Sequence, residues 1–134
     1  MEIREPRKVK ISGKEYPISF TSAAVSYVSE STGLTFKEVN SFGEDVPIHI
    51  LFKLIHAGLR NGHRRQHKFN GTTQTEFIYG WEDVTDMLDQ DEQAIEDCMK
   101  IWAESNQQNK TEEDKPEESE EESGNKQGGK QDES

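Results

Sequence analysis

Ile48-His49-Ile50-Leu51-Phe52-Lys53-Leu54-Ile55-His56-Ala57-Gly58-Leu59-Arg60-Asn61-Gly62 is the most apolar run of the chain, and its reading decides how the rest must fold. Ile48, Leu51, Phe52, Ile55 and Leu59 recur at helical spacing, while Ile50, Leu54 and Ala57 widen the stripe beyond that of an ordinary surface helix. Such a helix is buried on most sides or shares part of its surface with another chain. Asp45-Val46-Pro47 reads as its entry, with Asp as the cap and Pro in a first turn that needs no N–H. Gly62 reads as its end.

Upstream, Val9-Lys10-Ile11-Ser12 and Glu15-Tyr16-Pro17-Ile18-Ser19-Phe20 alternate apolar and polar residues around Gly13-Lys14, the pattern of a β-hairpin. Pro17 cannot donate to a ladder, so its strand is expected at an edge or only partly paired. A two-stranded ribbon must rest on something, and the support here is helical. Thr21 is suited to cap a helix that carries Ala24, Val25, Tyr27 and Val28 on one side and stops at Gly33. Thr35 and Glu38 then form a capping box for a short helix that ends by Gly43.

Downstream, HRRQHKFNGTTQT (63–75) breaks the pattern and predicts a long mobile loop or a small excursion, and Glu76-Phe77-Ile78-Tyr79-Gly80 suits a strand or a helix start. Helical spacing resumes at Trp81 with Val84, Met87 and Leu88. Asp89 followed by Glu92 predicts a new N-cap, and the last helix carries Ala94, Ile95, Cys98, Met99 and Trp102 on one face before fraying near Gln107. The expected fold is therefore mainly α, with four to five helices and a short N-terminal hairpin. It divides into one domain over residues 1–106 and a disordered acidic tail over residues 107–134.

Composition supports that division. The chain has 134 residues and a formal net charge of −11. No apolar residue follows Ala103, and residues 110–134 hold ten acids against four lysines, so a segment without core-forming side chains carries most of the negative charge. A chain this acidic repels phosphate backbones, which argues against nucleic acid as a partner. No stretch approaches the apolar length of a membrane span, and the N-terminus is charged from Glu2, unlike a secretory signal.

Chemistry-bearing residues do not converge. His56, His63 and His67 have helical spacing only if the helix continues past Gly62, and no cysteine joins them, so no metal or other cofactor is expected. Cys98 sits on an apolar face and reads as a core residue. The tail's Gly124 to Lys130 has phosphate-loop spacing but neither a preceding strand nor a following helix. Arg60, His63, Arg64, Arg65, His67 and Lys68 form the one basic cluster. It is either a solvated loop or a docking patch for an acidic surface.

The order of these elements, with K-x-x-G-K-x-Y-x-I-x-F, LTFKEV, the apolar helix ending in AGLRNG, and WEDVTDMLDQDEQAIEDCMKIW before a charged tail, resembles the tail assembly chaperones of long-tailed bacteriophages and prophages of Gram-positive hosts. The resemblance covers about residues 9–104. It implies a non-catalytic protein of the host bacterial cytoplasm, absent from the mature virion. Such a protein binds the tape measure protein, helps recruit tail tube subunits, in some cases through a frameshifted longer form, and self-associates. Within that frame Ile50, Leu54, Leu59 and Trp102 are the expected partner-binding residues, with Arg64 and Arg65 at the rim. The alternative from another class is an acidic regulator that mimics a nucleic-acid surface, suggested by the carboxylates of the last two helices.

Overall fold

The computed structural model describes residues 4–43 and 45–114, with side chains as far as Asn106. Strands β1 (Arg7–Ile11) and β2 (Lys14–Ile18) pair antiparallel, Val9 opposite Tyr16 and Lys8 opposite Pro17. The turn is Ser12-Gly13, one residue earlier than the sequence pattern implied. Both residues have positive φ, 50° and 86°, the backbone that matches the twist of a two-residue hairpin. Helices α1 (Ser22–Thr32), α2 (Phe36–Asn40), α3 (Ile48–Asn70), α4 (Trp81–Asp89) and α5 (Glu92–Asp114) follow. Among the described residues, five helices behind an N-terminal hairpin is the expected class.

Helix α3 is the spine. It packs against β2, α1 and α4, while α5 packs against β1, α4 and α2. The buried side chains Val9, Ile11 and Ile18 of the hairpin, Val25 and Val28 of α1, Leu54, Ile55 and Leu59 of α3, Val84 and Leu88 of α4, and Cys98 and Trp102 of α5 belong to one core.

The junction between hairpin and spine joins the Ser19 backbone to one backbone carbonyl and one side chain of α3. The Ser19 N–H donates to the Gly58 carbonyl at 2.9 Å, and the Ser19 carbonyl accepts from Asn61 Nδ2 at 3.0 Å. Asn61 Nδ2 also donates to Thr21 Oγ1 at 2.8 Å. Thr21 does occupy the N-cap of α1, but its hydroxyl serves Asn61 and makes no cap hydrogen bond.

This approach explains why Gly62 does not end the helix. A Cβ there would overlap the Pro17 carbonyl and lie 2.5 Å from the Ile18 nitrogen, and one at Gly58 would lie 2.5 Å from Cε1 of buried Phe20. Both glycines are needed for contact, so α3 passes through them for 23 residues and closes at Gly71, in the left-handed conformation at φ 71°. The loop expected over 63–75 is largely helix as a result.

Other helix ends differ in detail. Pro47, not Asp45, is the N-cap of α3. The capping box of α2 is present: Glu38 N–H donates to Thr35 Oγ1 at 3.0 Å, and Thr35 N–H to the Glu38 carboxylate at 2.8 Å. Asp91, not Asp89, caps α5, with Oδ1 accepting from Ala94 N–H at 3.2 Å. Its Oδ2 accepts from Ser12 N–H at 2.9 Å, which ties the hairpin turn to the last helix. Helix α5 runs past Gln107 to Asp114, and the remainder of the expected disordered tail, residues 115–134, lies outside the described residues.

The Gly62→Ala variant is expected to lose about 3 kcal/mol or more, because the obstructing atoms are backbone and cannot rotate away. Gly71→Ala, with left-handed backbone and open space, is expected to lose only about 1–2 kcal/mol. Urea unfolding of the two variants distinguishes them, and equal losses would contradict the close approach.

Candidate functional site

Four of the expected partner-binding residues are core residues. Ile50 is 5% exposed, and Leu54, Leu59 and Trp102 are fully buried. The hairpin, α1 and α4 enclose the middle of α3. Trp102 sits edge-on to Phe20, with ring centroids 5.4 Å apart, and donates its indole N–H to the Gly43 carbonyl at 2.7 Å. None of the four offers surface to another chain in this fold. Arg64 and Arg65 are reachable but do not share a rim. Successive helical residues point about 100° apart, and Arg64 lines a cavity between α1 and α3 while Arg65 lines a separate groove with Arg4 and Ser105.

The large apolar side chains open to solvent lie elsewhere. Ile48 is 70% exposed, Ile78 79% and Trp81 43%, with Phe36 and Phe69 also in water. Ile48 was expected on the buried stripe, but as the first residue of α3 it lies beyond the cover of its neighbours. Ile78 and Trp81 stand three residues apart where the segment before α4 enters that helix. Lys53 Nζ of α3 lies 5.4 Å from the centre of the Trp81 ring.

That entering segment, residues 72–80, is an extended strap lying antiparallel along α3, and histidines hold it. His56 Nε2 donates to the Tyr79 carbonyl at 2.9 Å, and His63 Nε2 to the Thr75 carbonyl at 3.0 Å. A carbonyl only accepts, so in both rings Nε2 carries the hydrogen. His67 reaches Thr72 Oγ1 through Nδ1 at 2.7 Å and Thr75 Oγ1 through Nε2 at 3.1 Å. The continuing helix thus brings His63 and His67 together, ring centroids 4.8 Å apart, with the Thr75 hydroxyl against both Nε2 atoms.

Alternation sets the strap's two faces. Phe77 and Tyr79 are half-buried, Phe77 against His56 and His63 at 5.9 and 5.7 Å, and Tyr79 against Tyr16 at 6.3 Å. Ile78 between them must point outward. Sequence reasoning left 76–80 open and missed Ile78 and Trp81. The signal was that two-residue alternation, followed by Gly80, whose N–H is accepted by the Asp83 carboxylate at 2.9 Å at the start of α4.

Burial pushes the Cys98 thiol up to about 12, with the nearby Asp97 and Asp91 carboxylates adding to the effect. It remains a neutral thiol near pH 7. Among the described residues no group of three histidine, cysteine or carboxylate side chains is placed to hold a metal ion, and no helix is long and apolar enough to cross a membrane. No protein-family model, curated protein or solved structure matches the chain.

Burial lowers the pKa of His56, and Arg60 adds to that, against the opposing hydrogen bond to Tyr79 and the Asp83 charge. The folded state therefore resists a proton that the unfolded chain accepts. The contribution of His56 to stability is complete above its ordinary pKa and is lost as pH falls from there through the lowered value. In an NMR titration the His56 ring should protonate below the range of free histidine, and titration at or above that range would contradict the buried tie.

Proposed function

We propose that the chain is a non-catalytic tail assembly chaperone of a long-tailed phage or prophage. It holds the tape measure protein soluble, helps recruit tail tube subunits and associates with its own copies. The observation carrying this reading is the exposure of Ile78 and Trp81 at the strap–α4 junction, with Ile48 at the start of α3. Large apolar side chains kept in water on a domain whose core is already filled are suited to lie against an amphipathic client helix. The element order supports the reading independently. The client surface is thereby assigned to the strap and helix ends instead of the middle of α3.

Because Leu54 is fully buried, Leu54→Asp would unfold the domain and report nothing about a client. Ile78→Asp and Trp81→Ala change exposed side chains and leave the core intact. Co-expressed with a tape measure protein, the natural chain should keep that client in the soluble fraction and co-purify with it. The double variant should lose the client while retaining its helical circular dichroism and unfolding midpoint. Undiminished client capture by the folded double variant would contradict the assigned surface.

A further inference from the structure

A cavity of about 330 Å³ lies between α1, α3 and the strap, and its cationic lining stands out in so acidic a chain. Arg60 and Arg64, one helical turn apart on α3, both line it. Neither is within ion-pair distance of a carboxylate among the described residues, whose ion pairs are Arg7 with Glu104 and Lys8 with Glu5.

Both guanidiniums are held in place by other means. Arg60 stacks on the Tyr27 ring, 4.4 Å from its centre, which leaves its in-plane N–H groups available. Arg64 donates from Nη2 at 2.7 Å and from Nε at 3.2 Å to Oδ1 of Asn61. Asn61 is itself 5% exposed and fixed through its Nδ2 to Ser19 and Thr21. Among the described residues no group accepts from Nη1 of Arg64. Phe77 and Tyr27 add aromatic walls, and among the described residues Glu76 is the one carboxylate in the lining.

We infer that this cavity is a binding site for a carboxylate, received by Arg60 and Arg64 with its organic part against Tyr27 and Phe77. Apart from His63, the charged groups of the lining are two guanidiniums and one carboxylate, a net single positive charge that complements a monoanion better than a phosphate dianion. Planar N–H donors suit the two oxygens of a carboxylate, and orientation by Tyr27 and Asn61 means little side-chain freedom is lost on binding. The carboxylate can come from a free organic acid or from an acidic side chain of a partner protein.

NMR titration of the full chain with benzoate tests the assignment, following the Arg60 and Arg64 side-chain N–H signals and the amides of residues 74–77. Saturable shifts confined to these groups are expected. Arg60→Gln and Arg64→Gln should each weaken benzoate by about tenfold or more, whereas Arg7→Gln on the hairpin should leave it unchanged. Arg60 is exposed, so Arg60→Gln remains informative even if loss of Arg64 disturbs Asn61. Inorganic phosphate should bind more weakly than benzoate.

A glutamate-bearing helical peptide separates the two sources. Tighter binding than benzoate at the same signals identifies a protein side chain, and weaker binding identifies a free acid. Absence of saturable shifts, affinity unchanged in Arg60→Gln, or preference for phosphate would each overturn the proposal.

Discussion

Ser19 meets α3 through both of its backbone polar groups. Its N–H goes to the Gly58 carbonyl and its carbonyl receives Asn61. A backbone segment leaving a sheet edge must find partners for both groups once buried, and a helix surface rarely offers them because its own carbonyls and N–H groups are already paired. Here glycine at 58 and 62 removes the side chains that would hold the hairpin off, and Asn61 between them supplies the donor. This contact fixes the C-terminal end of the hairpin to the spine, while Asp91 holds its turn to α5. It seats Phe20 against Trp102, sets Thr21 at the start of α1, and through Asn61 orients Arg64.

Features that depend on local chemistry were legible in the sequence. The hairpin, the capping box at Thr35 and Glu38, and the apolar period of α4 and α5 follow from alternation, capping residues and helical spacing. What escaped depends on tertiary contact. Gly62 looks like a helix stop because the reason for a glycine there is the Pro17 backbone, 45 positions earlier in the chain. Once Gly62 is taken as a stop, His63 to Asn70 are deprived of their helix, and the spacing that lets His56, His63 and His67 hold the strap is hidden. Asp89 and Asp91 are equally plausible caps by type, and the hairpin turn at Ser12 favours Asp91, which can serve both sites.

The candidate site followed the same logic. Ile50, Leu54, Leu59 and Trp102 are apolar enough to bind a partner, but apolarity alone does not separate a core from an interface. The enclosing elements make that choice, and they seal the middle of α3. Solvent instead meets Ile78 because an extended segment whose neighbours Phe77 and Tyr79 turn inward has no alternative for the residue between them. The strap thus carries an outer apolar face and an inner face of rings and threonines against the histidines of α3. Glu76 and Phe77 also wall the cavity that contains Arg60 and Arg64.

Native-state hydrogen exchange at the Ser19 amide tests the anchoring of the hairpin most directly. Ser19 lies outside both strands and α1, in a connection that would exchange quickly if it merely crossed the surface. Donation to Gly58 predicts protection comparable to the central amides of α3, released only with global unfolding. Exchange as fast as that of the Gly13 amide in the hairpin turn would show that the hairpin is not fixed to the spine, and the arrangement built upon it would fail.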